Sequence, residues 1–143
     1  MRDLDVAKSR LYDENLTLAI VKKGTVLFET SSHRIAGFLS AIEQLGAKLE
    51  GASVADKVAG KAVALLCVYA GINEVYAEVL SEKAKAVFRE NEIHCEWKEL
   101  VENILDLNRS SVCPFEKAAA DISDPQKAYK AFIAVLQSFK ASK

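Results

Sequence analysis

The residues with most chemical promise are Asp56, Lys57, Gly60 and Lys61, in the stretch ADKVAGKA from Ala55 to Ala62. It nearly spells a phosphate-binding loop. That loop needs a glycine, four residues, then Gly-Lys-Ser/Thr, set between a strand and a helix. Here Ala55 stands where the first glycine belongs, and Ala62 replaces the hydroxyl that would hold Mg²⁺. The spacing also predicts a helix running from Ser53, with Asp56 three positions on as in a capping box, so that Gly60-Lys61 falls inside it. Such a helix start exposes free backbone N–H groups at residues 53–56 and the positive pole of the macrodipole. Lys57 and Lys61, four apart, share a face. Gly60 leaves room for a ligand or another backbone. A helix end of this kind binds an anionic group without any P-loop. The plainer reading is that Gly60 permits close helix packing and the lysines are surface charges.

Other candidates are weaker. His94-Cys95-Glu96 matches H-x-E, the first half of the zinc-deaminase signature, and Cys113-Pro114 faintly echoes the second half. H-x-E should open a helix, but this one sits in an alternating segment that reads as a strand. The second half needs P-C-x-x-C, whereas the order here is C-P with no second cysteine following. Two histidines and three scattered cysteines do not make a zinc site, so no metal and no cofactor is expected. Cys113 at a helix start could serve as a nucleophile. It could equally be a helix cap, with Glu116 as the matching third-position residue. Asp56 could be a carboxylate nucleophile.

The chain that must position these residues has 143 residues, 50% apolar and 27% charged, which suits one globular domain over residues 1–143. A net charge of −1 gives no general pull on nucleic acid or an anionic membrane. The longest apolar run, Val63 to Ala70, is too short to span a bilayer. The first ten residues carry charges where a signal peptide needs an apolar stretch. Cys67, Cys95 and Cys113 are an odd, widely spaced set, reading as reduced thiols in a cytoplasmic protein.

Periodicity predicts the elements. Leu4, Val6, Ala7 and Leu11 mark a helix over residues 2–14. Strands at 16–21 and 25–30 form a hairpin around Lys22-Lys23-Gly24. Ile35, Phe38, Leu39, Ile42 and Leu45 mark a helix closed by Gly46. Residues 47–52 form a loop, and the helix from Val54 runs to Ala70 and stops at Gly71. A strand at 74–80 follows, and Ser81 caps a helix to about Arg89. In the strand at 92–99, Ile93, Cys95 and Trp97 face inward and His94, Glu96 and Lys98 outward. A short helix after Leu100 leads to a loop at 108–112. Pro114 opens a short helix, and Pro125 opens the last one. A hairpin followed by helix-linked strands implies an α/β domain, a mixed sheet with helices on both faces.

Four segments, NLTLAIVKKGTVLFETSS, ADKVAGKAVALLCVYAGI, VYAEVLSEKA and CPFEKA, resemble in this order the "domain of unknown function 1893" family. The resemblance covers nearly the whole chain, and D-K-x-x-G-K-A and C-P-x-E are its most specific parts. It implies a cytidine-deaminase-like three-layer α/β/α fold with a mixed sheet and no established activity. In true deaminases the first zinc ligand and the catalytic glutamate open the helix after the hairpin, and two cysteines open the helix after the next strand. On the elements predicted above, the corresponding starts are Ala55-Asp56-Lys57 and Leu80-Ser81-Glu82-Lys83-Ala84. Neither carries a ligand set, so the resemblance offers a cleft between two helix starts and removes zinc-hydroxide chemistry.

Three readings result. The first is a metal-free domain binding a phosphate-bearing or nucleotide-like small molecule at the Asp56–Lys61 helix start. Ser81 caps the neighbouring helix, and Cys113 and Glu116 close the pocket. The second is a metal-independent enzyme with Cys113 or Asp56 as nucleophile and Lys57 or Lys61 as electrostatic stabiliser. The third is a structural subunit whose apolar helices make a homo-oligomer interface.

Overall fold

The computed structural model describes residues 2–32, 35–105 and 113–141. Helix α1, Asp3–Asp13, buries Leu4, Ala7 and Leu11, the three- and four-residue spacing of one helix face. Strands β1, Leu18–Lys22, and β2, Thr25–Thr30, pair antiparallel. Lys23 and Gly24 both take positive φ, 51° and 77°, as a two-residue hairpin turn that follows the strand twist requires. The Asp3 carboxylate accepts hydrogen bonds from the Lys23 and Gly24 N–H groups at 2.8 and 2.9 Å, fastening α1 to that turn. Helix α2, Ala36–Leu45, ends at Gly46 and runs into a 3₁₀ turn, Gly46–Leu49.

A run of strand and helix follows with almost no loop: β3, Ser53–Ala59; α3, Lys61–Ala70; β4, Glu74–Ser81; α4, Glu82–Glu90; β5, His94–Val101. Helices α5, Pro114–Ala119, and α6, Pro125–Ala141, complete the described chain. The five strands form one sheet in the order β2-β1-β3-β4-β5. Strand β1 is antiparallel to β2 and β3, whereas β3, β4 and β5 are mutually parallel, joined by the crossover helices α3 and α4. The pleat splits the core between the two faces. Val21, Ala55 and Tyr76 pack with α1 on one side. Ile20, Val54, Val75 and Ala77 pack on the other with Phe38, Leu66, Phe88, Phe115 and Phe132 from the remaining helices.

The principal correction concerns residues 53–60. They are not the first turns of a helix but the central strand β3 and the residue after it. Ser53 caps nothing; its hydroxyl donates to Glu74 Oε1 at 2.8 Å. Strand β3 lies between β1 and β4, and pairing on both edges overrides the high helix propensity of its alanines and Lys57. The N–H groups proposed as an anion site at 53–56 therefore belong to a sheet segment. Gly60 sits outside the helix as the N-cap of α3.

Smaller differences follow. Strand β5 runs to Val101, and among the described residues that follow, 102–105, no helix begins. Its alternation is blunted because β5 is an edge strand: Cys95 is half-buried, but Trp97 remains 37% exposed under Lys85, whose Nζ lies 4.8 Å from the ring centroid. The predicted loop at 108–112 lies outside the described residues. No described helix is long and apolar enough to cross a membrane.

Candidate functional site

Strands β3 and β4 end side by side, Ala59 opposite Leu80, and each passes directly into a helix. The N-termini of α3 and α4 therefore converge at the carboxyl edge of the parallel strands, where open α/β sheets bind ligands. At α4, Ser81 is the N-cap: its buried Oγ accepts from the Ala84 N–H at 3.1 Å. At α3 no local side chain caps the helix. The cap comes from 55 residues away. Glu116, on α5, accepts from the Lys61 N–H through Oε1 and from the Ala62 N–H through Oε2, each at 2.8 Å. A carboxylate thus straddles the helix end as a bidentate anion.

Gly60 makes that approach possible. A Cβ built on it would overlap the Glu116 carboxylate. Its φ of −102° needs no glycine, so the requirement is space and not backbone conformation. Burial nevertheless raises the Glu116 carboxyl above its ordinary range, against the opposing pull of the two N–H groups and of Lys83 and Lys61.

Beside Glu116 opens a cleft of about 250 Å³ lined by Lys61, Ser81, Lys83, Glu102 and Lys117 among others. A second cleft of about 370 Å³ shares Lys61 and Lys83 and continues between α3 and α4 towards Glu90 and Asn91. The Lys61 ammonium bridges towards α5, donating to the Ala120 carbonyl at 3.0 Å.

Of the seven residues singled out from the sequence, Lys61, Ser81 and Glu116 line this cleft and Gly60 backs it. Lys57 is exposed on β3. Cys113 is buried at the start of α5, where its N–H donates to the Ile104 carbonyl at 3.0 Å and its thiol makes no cap bond. The expected local cap by Cys113 and Glu116 is thus replaced by a long-range one. Asp56 is 9% exposed, opposite Leu18 and Ala77, and does not line the cleft. At about 3.3 Å per residue it stands roughly 13 Å along the strand from Gly60. Its Oδ1 accepts from the Val58 N–H at 3.1 Å. Burial pushes its carboxyl up to about 7, although the Val58 and Lys57 N–H groups pull it down.

The remaining near-motif is an exposed ion cluster. His94 Nε2 lies 2.7 Å from Glu96 Oε2, and Arg2 reaches the same oxygen at 3.2 Å. Among the described residues no three His, Cys, Asp or Glu side chains gather closely enough to hold a metal ion. Lys83 was not singled out from the sequence, although its place two residues after the Ser81 cap could have flagged it.

The molecule is thus an α/β protein built on a five-strand mixed sheet, with two helix starts meeting at one strand edge. The chain belongs to the Domain of unknown function DUF1893 family, whose family model matches residues 6–136. A similar solved structure is that of a DUF1893 family protein (TM1506) from Thermotoga maritima, determined at 2.70 Å resolution. The two superpose with a TM-score of 0.83 at 24% identity, over 94% of this chain and 90% of that one. At that identity the likeness speaks for the fold alone. Comparison with curated proteins gave no match.

Proposed function

We propose that this chain is a metal-free, cytidine-deaminase-like domain that binds a nucleotide-like or other phosphate-bearing small molecule in the cleft between α3 and α4. The observation that carries the reading is the Glu116 carboxylate held on the Lys61 and Ala62 N–H groups. It marks the α3 start as a place where oxyanions are favoured, with Lys61 and Lys83 supplying further positive charge. Glu116 already fills the helix end, so the ligand's phosphate sits on the Lys61–Lys83 side. A hydroxyl of the ligand donates to the remaining lone pairs of Glu116. The two adjoining clefts offer the volume of a small-ligand site.

The strand order β2-β1-β3-β4-β5 supports the deaminase-like assignment, with corrected correspondences. The helix after the hairpin is α2, and the helix after the next strand is α3. Their starts are Ile35-Ala36-Gly37 and Gly60-Lys61-Ala62, which carry no metal-ligating side chain. The zinc chemistry of that fold does not fit these residues, and no step is assigned to it.

Titration with AMP, ribose 5-phosphate and adenosine tests the reading. The phosphorylated compounds should bind at millimolar concentration or below, without Mg²⁺ and more weakly in high salt. Adenosine should bind at least about tenfold more weakly, as expected from losing a charge-assisted contact. Lys61→Met keeps the aliphatic stem and removes the charge, so it should lower affinity without unfolding the protein. No binding of either phosphate at millimolar concentration, or equal binding by Lys61→Met, refutes it.

A second reading rests on Asp56. A buried carboxyl titrating near 7 is suited to proton transfer at neutral pH, which favours a metal-independent enzyme with its reacting centre near the β1–β3 junction.

A further inference from the structure

The opposite end of α3 carries a different surface. There the C-termini of α2 and α3 converge on the 3₁₀ turn and on α6, around a hollow of about 640 Å³. Its walls include Glu43, Glu50, Gly46, Gly71, Tyr69 and Tyr129. Tyr69 and Tyr129 stack with ring centroids 4.7 Å apart and planes within 10° of parallel. Tyr69 is 41% exposed, so its ring remains accessible to a ligand.

Four independent features give this hollow negative potential. Two helix C-termini end there, and each brings the negative pole of a macrodipole. Two carboxylates, Glu43 and Glu50, are exposed, and neither forms an ion pair among the described residues. Glu43 is close enough to Tyr129 to help burial and Tyr69 raise its phenol above the ordinary value. The aromatic faces are themselves electron-rich. No lysine or arginine lines the hollow.

We propose that this hollow is a binding site for a small organic ammonium ion, with a quaternary or methylated nitrogen over the tyrosine pair and balanced by Glu43 and Glu50. The chemistry selects that class against a metal ion. Among the described residues no three ligating side chains converge, so there is no chelate to replace a metal's water shell. A methylated ammonium is weakly hydrated and needs only diffuse negative charge and apolar contact, which is what tyrosine faces and outlying carboxylates supply. The site is separate from the α3–α4 cleft, and its ligand carries the opposite charge.

The probe is choline, with 3,3-dimethyl-1-butanol as its neutral isostere. Binding is followed by the chemical shifts of the Tyr69 and Tyr129 rings and the Gly46 and Gly71 amides. Choline should shift these signals and saturate at millimolar concentration, while the isostere binds at least about tenfold more weakly. Glu43→Gln with Glu50→Gln should weaken choline about tenfold and leave the melting temperature within a few degrees. Tyr69→Leu, at a half-exposed position, should abolish binding while the fold persists. Equal binding of choline and its isostere overturns the proposal. So does undiminished binding in the double glutamine variant. The absence of shifts at about 20 mM choline, a concentration that would nearly saturate a site of millimolar affinity, overturns it as well.

Discussion

The two ends of α3 solve the same problem in opposite ways. At the N-terminus the unpaired N–H groups are met from inside the chain: Glu116 crosses 55 residues of sequence to bind Lys61 and Ala62, and Gly60 gives it room. At the C-terminus the chain closes locally. Gly71 turns left-handed at φ 74°, its N–H returns to the Cys67 and Val68 carbonyls, and the surface around it stays open. The lesson is that a helix pole already satisfied internally keeps only the charge of neighbouring side chains, here Lys61 and Lys83, to offer beyond it. A pole closed by its own backbone leaves its field free for whatever settles beside it.

The largest effect should come from Asp56, a buried carboxyl within β3, roughly 13 Å along the strand from Gly60, with no helix pole or lysine ammonium to balance it. Its folded pKa, about 7, lies above the ordinary 3.8. A raised carboxyl contributes stability below its unfolded pKa and loses it as pH rises through the folded value. Stability should therefore fall by roughly 4 kcal/mol between about pH 4 and pH 7 on this group's account. Asp56→Asn keeps the acceptor for the Val58 N–H and should flatten that decline in urea melts across the range. An unchanged slope would mean that the carboxyl ionises without penalty.

Next in size is Gly60→Ala. On an ordinary helix cap the change is mild, but here the new Cβ displaces Glu116, and stability should drop by about 2–3 kcal/mol through two lost charge-assisted bonds. In a Glu116→Ala background the same substitution should cost less than about 0.5 kcal/mol, because the displaced group is gone. Additive costs would show that Gly60 serves some other purpose. At the opposite end Gly71→Ala should cost at least about 1 kcal/mol, from left-handed strain and from a new Cβ only 3.1 Å from Glu50 Cγ. This cost should not depend on residue 116, and a dependence would break the contrast between the two ends.

Much of the frame was legible because its signals are local. Lys23-Gly24, Gly46, Gly71, Ser81 and Pro114 mark boundaries through backbone conformation or capping chemistry that their own neighbours determine. Strand β3 was not. Ser53 and Asp56 mimic a capping box, only Val54 and Val58 are β-branched, and pairing with β1 and β4 decides the conformation from outside the segment. The candidate site inherited that error. Lys61, Ser81 and Glu116 each carry a local signal, but what brings them together is the parallel alignment of β3 with β4 and the return of α5 across the strand ends. Nothing in the spacing of Tyr69 and Tyr129 announces that their rings stack.

The most direct test of ligand recognition at the sealed pole is an amide-resolved NMR titration of the wild-type protein with AMP. We expect the Lys61, Ala62 and Lys83 amides to shift in a saturable, salt-sensitive way, while Gly46 and Gly71 stay still. Shifts confined to Gly46 and Gly71, or no shifts at millimolar AMP, would contradict an anion site at the start of α3.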